Sequence, residues 1–227
     1  SKHFTAYALF KLIAESRLSL EDTIQTYLPD FPEYDSPIWI RNLLYHSSGI
    51  KDQWQLWEES GRSLEEEIKQ EDLLTLIQTQ TSLSFEPGTE FQYSNSNYTL
   101  LAAVIESVTG KLFPEWMRKN VFLPLGMTET HIGNISQFSD CQTAKSYRLK
   151  RRDEIEKIPI HYENYGATSV LSTSRDFSKW MNYLLQNMQS DPVVVKLLEP
   201  GMQVAVFGEG EILSYAGGLN IFEQNKR

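Results

Sequence analysis

The chain has 227 residues, 41% of them hydrophobic, with 5 Trp, 11 Tyr and 11 Phe. That is enough apolar surface to build a core, and it excludes a disordered chain. The formal net charge of −9 argues against nucleic acid or an anionic membrane as a partner. The single cysteine, Cys141, excludes an intrachain disulfide, and the four histidines (His3, His46, His131, His161) show no paired zinc-ligand spacing. No apolar run reaches the roughly 18 residues of a membrane-spanning helix. The one tight basic cluster, Lys150-Arg151-Arg152, runs straight into Asp153, Glu154 and Glu156 and reads as a solvated turn or hairpin.

Along the chain, the first element is a helix from Lys2 to Ile13, because Phe4, Ala8 and Leu12 recur every fourth position with Leu9 and Ile13 beside them. Residues 17–22 turn into a short helix ending at Leu28-Pro29, and Pro32 and Pro37 hold the next stretch open. Ile38 to Leu44 reads as a further short helix or turn, closed by Ser47-Ser48-Gly49. Residues 51–70 are charged and carry Trp54 and Trp57, and residues 71–79 are helical through Leu73, Leu74 and Ile77. After a Pro87-Gly88 turn comes a clear amphipathic helix with Tyr98, Leu101, Ala102, Ile105 and Val108 on one face. Ser96 or Asn97 is expected to cap it, and Gly110 to end it.

Residues 134–162 are polar and poorly patterned. Thr173-Ser174-Arg175-Asp176 then opens a second clear helix whose apolar face is Phe177, Trp180, Met181 and Leu184. Residues 219–222 read as a strand followed by a turn over 223–227 with no second strand, an unfinished sheet. A chain that opens inside a helix and closes on a lone strand is expected to be a piece of a larger protein.

Four segments carry a resemblance. Leu43-Leu44-Tyr45-His46-Ser47-Ser48-Gly49-Ile50 comes first, then the stretch 85–98 containing Tyr93-Ser94-Asn95. Leu123-Pro124-Leu125-Gly126-Met127-Thr128-Glu129-Thr130 follows, then the stretch 166–176 from Gly166 to Asp176. In this order they resemble the landmarks of the serine β-lactamase, penicillin-binding-protein and esterase family. The opening Ser1-Lys2-His3-Phe4-Thr5-Ala6 resembles the second half of that family's S-x-S-K-x-F-T-A pattern.

The resemblance implies an α+β, β-lactamase/transpeptidase-like fold. Residues 1–227 would be one partial domain, mainly the helical region with an incomplete antiparallel sheet. The implied activity is serine hydrolysis of the β-lactamase, D-alanyl-D-alanine carboxypeptidase or esterase type through an acyl-enzyme. The nucleophile would stand two positions before Ser1 and the third motif beyond the other end, so the chain alone is expected to be inactive. The rival is a non-catalytic relative, a binding or regulatory module on the same scaffold. A small-molecule or peptide substrate, a monomer, no metal or cofactor, and a periplasmic, secreted or cell-envelope location follow from the same resemblance.

Within the chain, the implied catalytic residues are Lys2, Tyr93 and Asn95. Lys2 would take or share the serine proton, since a spacing of three stacks two side chains on one helix face. Tyr93 would act as general base and then as acid, its phenol drawn below the ordinary value of about 10 by the lysine charge. Asn95 would orient Lys2 and the substrate amide; an Asx-turn or a cap explains it equally well. Trp54 and Trp57 are candidates for lining the substrate cleft, although simple packing explains them better. Ser48-Gly49-Ile50-Lys51 and His131-Ile132-Gly133 imitate the first and third motifs but read as structural. So does His46, as a hydrogen-bonded histidine, and Asp176, as a helix cap.

Overall fold

The computed structural model describes residues 1–134, 143–151, 154–158, 162–206 and 212–223. Cys141, His161, Arg152, Asp153 and the turn expected at the carboxyl end lie outside the described residues.

Helix α1 spans Lys2–Ala14, as its apolar spacing requires. It is buried on nearly every side, at Lys2, at all residues from Phe4 to Phe10, and at Leu12. A helix apolar all round must be enclosed. Here α5 (Asn95–Thr109) packs on it together with a short helix, α8 (Pro192–Leu198). α5 is the second core element, buried without interruption from Ser96 to Ile105 and ended by Gly110 in the left-handed conformation. Against α5 lie α2 (Ile40–Leu44), α4 (Gln70–Gln78) and α6 (Phe113–Met117), the last running into a π-helical turn, Arg118–Phe122. Phe4, Tyr7, Trp180 and Tyr183 form an aromatic chain between α1 and α7 (Ser174–Asn187). Each such side chain, fully buried, is worth about 1.5–3 kcal/mol of transfer free energy.

The strands form three small antiparallel sheets among the described residues. β1 (His131–Ile132) pairs with β4 (Val170–Leu171), so the third-motif imitation sits in a two-residue structural ladder. β2 (Ser146–Arg151) and β3 (Glu154–Ile158) form the hairpin expected of the basic cluster, with Lys150 Nζ 3.0 Å from Glu156. The third sheet is a meander of β5 (Met202–Val206), β6 (Ile212–Tyr215) and β7 (Asn220–Glu223).

Four expectations are corrected. The strand at 219–222 is not alone: β7 pairs with β6, and the two earlier strands, of five and four residues, are too short to show a clear period. Residues 51–70, read only as charged, contain α3 (Gln53–Glu59), started by Asp52, whose carboxylate accepts the Trp54 N–H at 2.9 Å. α5 is not capped by Ser96 or Asn97; Asn95 is its first residue, and the carboxylate accepting its N–H at 2.6 Å comes from Asp52. Asp176 is not the cap of α7 either. Thr173 is, and Asp176 is fully buried, accepting from Glu129 N–H (2.7 Å) and Thr130 Oγ1 (3.0 Å).

Candidate active site

Lys2, at the first turn of α1, is 8% exposed, and its Nζ donates to Asn95 Oδ1 at 2.8 Å and to the Ala167 carbonyl at 3.1 Å. It lies over the Tyr93 ring, 4.8 Å from the centroid. The three residues singled out from sequence, 91 and 93 positions apart, are therefore brought together where α1 and α5 begin.

The loop 164–169 supplies the other wall. Gly166 sits at φ +82°, and a Cβ there would fall 2.1 Å from the Tyr98 carbonyl oxygen. Only glycine lets this loop press onto α5. Its carbonyl accepts from Thr5 Oγ1 at 2.8 Å, which sets the next carbonyl, that of Ala167, in reach of Lys2. From the other side, Asn164 Nδ2 donates to Thr99 Oγ1 (2.7 Å) and Thr99 Oγ1 to Gln53 Oε1 (2.7 Å), a buried chain fastening the loop to α5.

His46 forms the floor. It is fully buried in a left-handed backbone conformation, φ +55°. Its Nδ1 faces the Ser94 N–H (3.3 Å) and the Asn97 amide (3.0 Å), both placed to donate, so the ring proton belongs on Nε2 and is given to Tyr215 Oη at 3.0 Å. Tyr215 closes β6, so the site lies between the helices and the three-stranded sheet. Burial, and then the Lys2 charge, pull the imidazole from 6.5 to about 3. His46 is expected to remain a neutral Nε2–H tautomer at pH 5, well below the ordinary midpoint. ¹⁵N imidazole shifts would check this; a protonated ring at pH 5 would refute it.

Burial, partly offset by Asp52, pulls the Lys2 ammonium from 10.5 to about 8. The phenol of Tyr93 moves against expectation. Half-exposed, it is held above 10, first by burial and then by the Asp52 carboxylate. Burial and Asp52 together outweigh any pull from the Lys2 ammonium lying over the ring.

Asn95 is the first residue of α5, and its amide oxygen also holds the Lys2 ammonium. Trp57 is 1% exposed in a second cluster with Ile68 and Leu73, and gives no surface to a ligand. Trp54 is partly buried, its ring 5.0 Å from Tyr162. Ser48, the false nucleophile, is fully buried with its Oγ donating to Asn97 Oδ1 at 2.6 Å. Sequence reasoning missed Asp52, Tyr215 and Asn164. Asp52 had a cap signature two residues before Trp54, but nothing in the sequence links it to Asn95, 43 positions on. No group of residues suited to a metal ion occurs among the described residues.

Comparisons with known proteins give the chain's relatives. The family profile described as Beta-lactamase matches residues 1–222. Penicillin-binding protein 4* of Bacillus subtilis (strain 168) is 35% identical over 86% of the chain and 40% of its own length. A D-aminopeptidase of Brucella anthropi is 26% identical over 98% of the chain and 41% of its own length. Among solved structures, the octameric penicillin-binding protein homologue from Pyrococcus abyssi superposes with a TM-score of 0.80 at 26% identity, over 96% of the chain and 51% of that protein. The chain thus spans about two-fifths of the curated relatives it matches.

Proposed function

The chain belongs to the beta-lactamase family, and we propose that it carries the lysine, tyrosine and asparagine of a serine acyl-transfer site. Its substrates would be small amides, peptides or esters, the residues 1–227 forming one partial domain. The observation that carries this reading is the convergence of Lys2, Asn95 and Tyr93 at two helix starts. In the Ser-x-x-Lys register the acylated serine stands three positions before Lys2, outside the chain.

The electrostatics support Lys2 as the base and Tyr93 as the acid. With its midpoint near 8, about a tenth of Lys2 is unprotonated at pH 7, at a cost near 1.4 kcal/mol. That amine takes the serine proton as the serine oxygen bonds to the substrate carbonyl carbon. Tyr93, kept a neutral phenol, donates its proton to the leaving nitrogen or oxygen as the acyl bond breaks. The Lys2 ammonium, lying over the same ring, restores it. Water then releases the acyl group by the reverse traffic.

This reading makes an expected result for the chain itself. Incubated with a fluorescent penicillin or a fluorophosphonate and examined by mass spectrometry, the 227 residues should gain no stoichiometric adduct. Ser48 is buried and its hydroxyl engaged. An adduct on Ser48, or on any serine of this chain, would sink the Ser-x-x-Lys register at Lys2.

A further inference from the structure

We propose that Asp52 is a positioning residue of this site: its carboxylate fixes which end of the Asn95 amide faces Lys2. The inference rests on the acyl-transfer reading for its consequence, but its geometry does not.

One carboxylate here ends two helices. Asp52 Oδ1 accepts the Trp54 N–H at 2.9 Å and caps α3. Asp52 Oδ2 accepts the Asn95 N–H at 2.6 Å, at the start of α5, and the Asn95 side-chain Nδ2 at 2.8 Å. A carboxylate of this kind only accepts. The amide of Asn95 must therefore turn its NH₂ toward Asp52 and its carbonyl toward Lys2, where Oδ1 receives the Nζ proton at 2.8 Å. The reverse orientation would set NH₂ against the Lys2 ammonium and the amide oxygen against the Asp52 carboxylate.

The polarity matters because Lys2 is buried. Its charged form survives on two carbonyl acceptors, Asn95 Oδ1 and Ala167 O, and on the negative charge of Asp52 behind the amide. The titratable groups around it are Asp52 from the loop before α3, and Tyr93 and Tyr98, whose ring centroids lie 4.8 and 5.7 Å from Nζ. His46 lies below it. Of these, Asp52 is the group that opposes the effect of burial on Lys2. Removing that charge, or flipping the Asn95 amide, acts in one direction: both favour the neutral amine.

The test uses the 227-residue chain and needs no turnover. Lysine ¹³Cε resonances are titrated in the wild type, in Asp52→Asn and in Asp52→Ser, with the Asn95 side-chain NH₂ resonances followed alongside. Serine keeps a hydroxyl cap for α3 if the asparagine variant folds poorly. The Lys2 midpoint should fall by about 1 pH unit or more in a folded variant, and the Asn95 NH₂ resonances should move. A folded variant whose Lys2 midpoint stays in place would overturn the proposal, even with a lowered melting temperature; Asp52 would then be a cap and nothing more. The outcome is separate from the acyl-transfer reading. That reading fails if a polypeptide carrying this chain, a serine three positions before Lys2 and the third motif after it forms no acyl-enzyme, wherever Lys2 titrates.

Discussion

Replacing Tyr93 by phenylalanine, in a polypeptide that carries this chain together with the serine of the Ser-x-x-Lys register and the third motif beyond the other end, is expected to lower kcat by about 10²- to 10⁴-fold. That corresponds to roughly 3–5 kcal/mol of transition-state stabilisation. Phenylalanine keeps the ring, with its contacts to His46 (4.6 Å between centroids) and to the Lys2 ammonium (4.8 Å). The side chain is half exposed, so losing the hydroxyl buries no unpaired group and should leave the melting temperature nearly unchanged. Only the proton donor is removed.

The pH dependence separates the two protic groups. If the neutral amine of Lys2 takes the serine proton, acylation rises with pH through about 8 and levels above it. Tyr93→Phe should lower the plateau without moving that midpoint greatly, because the ring stays over the ammonium. Acylation kinetics at several pH values, with thermal unfolding alongside, measure both quantities. A folded Tyr93→Phe protein that acylates like the wild type would refute the role. A large loss without a change in melting would also weigh against a non-catalytic scaffold.

How much of this was legible in the sequence depended on element length. α1, α5 and α7, with 13, 15 and 14 residues, show several turns of apolar spacing and were read correctly to within a residue or two. α3, with seven residues, and the strands of the third sheet, with four or five, are set by tertiary packing and show too few repeats. Lys2, Tyr93 and Asn95 were singled out because family-like segments flank them, and in the structure Lys2 lies against both of the others.

The remaining supports were not legible, for a physical reason. The caps of α5 and the tether on the 129–130 turn come from side chains 43 and 47 positions away, Asp52 and Asp176. Local patterns see caps within a few residues. A carboxylate borrowed across the fold satisfies the same orphan N–H groups with no local signature. The direction of the Tyr93 shift failed likewise: proximity to a lysine was anticipated, but neither burial nor a second charge behind Asn95 can be read from spacing.

The largest stability effect is expected at Gly166, where fold and site meet. In Gly166→Ala the new Cβ would lie 2.1 Å from the Tyr98 carbonyl oxygen and 2.9 Å from Ala102 Cβ. Both belong to the buried stretch of α5, which has no room to retreat. The left-handed backbone costs about 1–2 kcal/mol for any residue with a Cβ. Forcing the loop off the helix adds about 1–3 kcal/mol more. For a domain of this size each kcal/mol is worth roughly 2–4 °C, so melting should fall by roughly 5–15 °C. Gly110→Ala is the control: its φ is also positive, +65°, but nothing lies within 4 Å of the added Cβ. It should lose only the backbone part, a few degrees. The difference between the variants isolates the close approach of loop and helix. Displacing that loop also withdraws the Gly166 carbonyl from Thr5 and the Ala167 carbonyl from Lys2. The Lys2 midpoint should therefore fall in Gly166→Ala and stay near 8 in Gly110→Ala. Equal melting losses, or an unmoved Lys2 in a destabilised Gly166→Ala protein, would show that the loop does not hold the site.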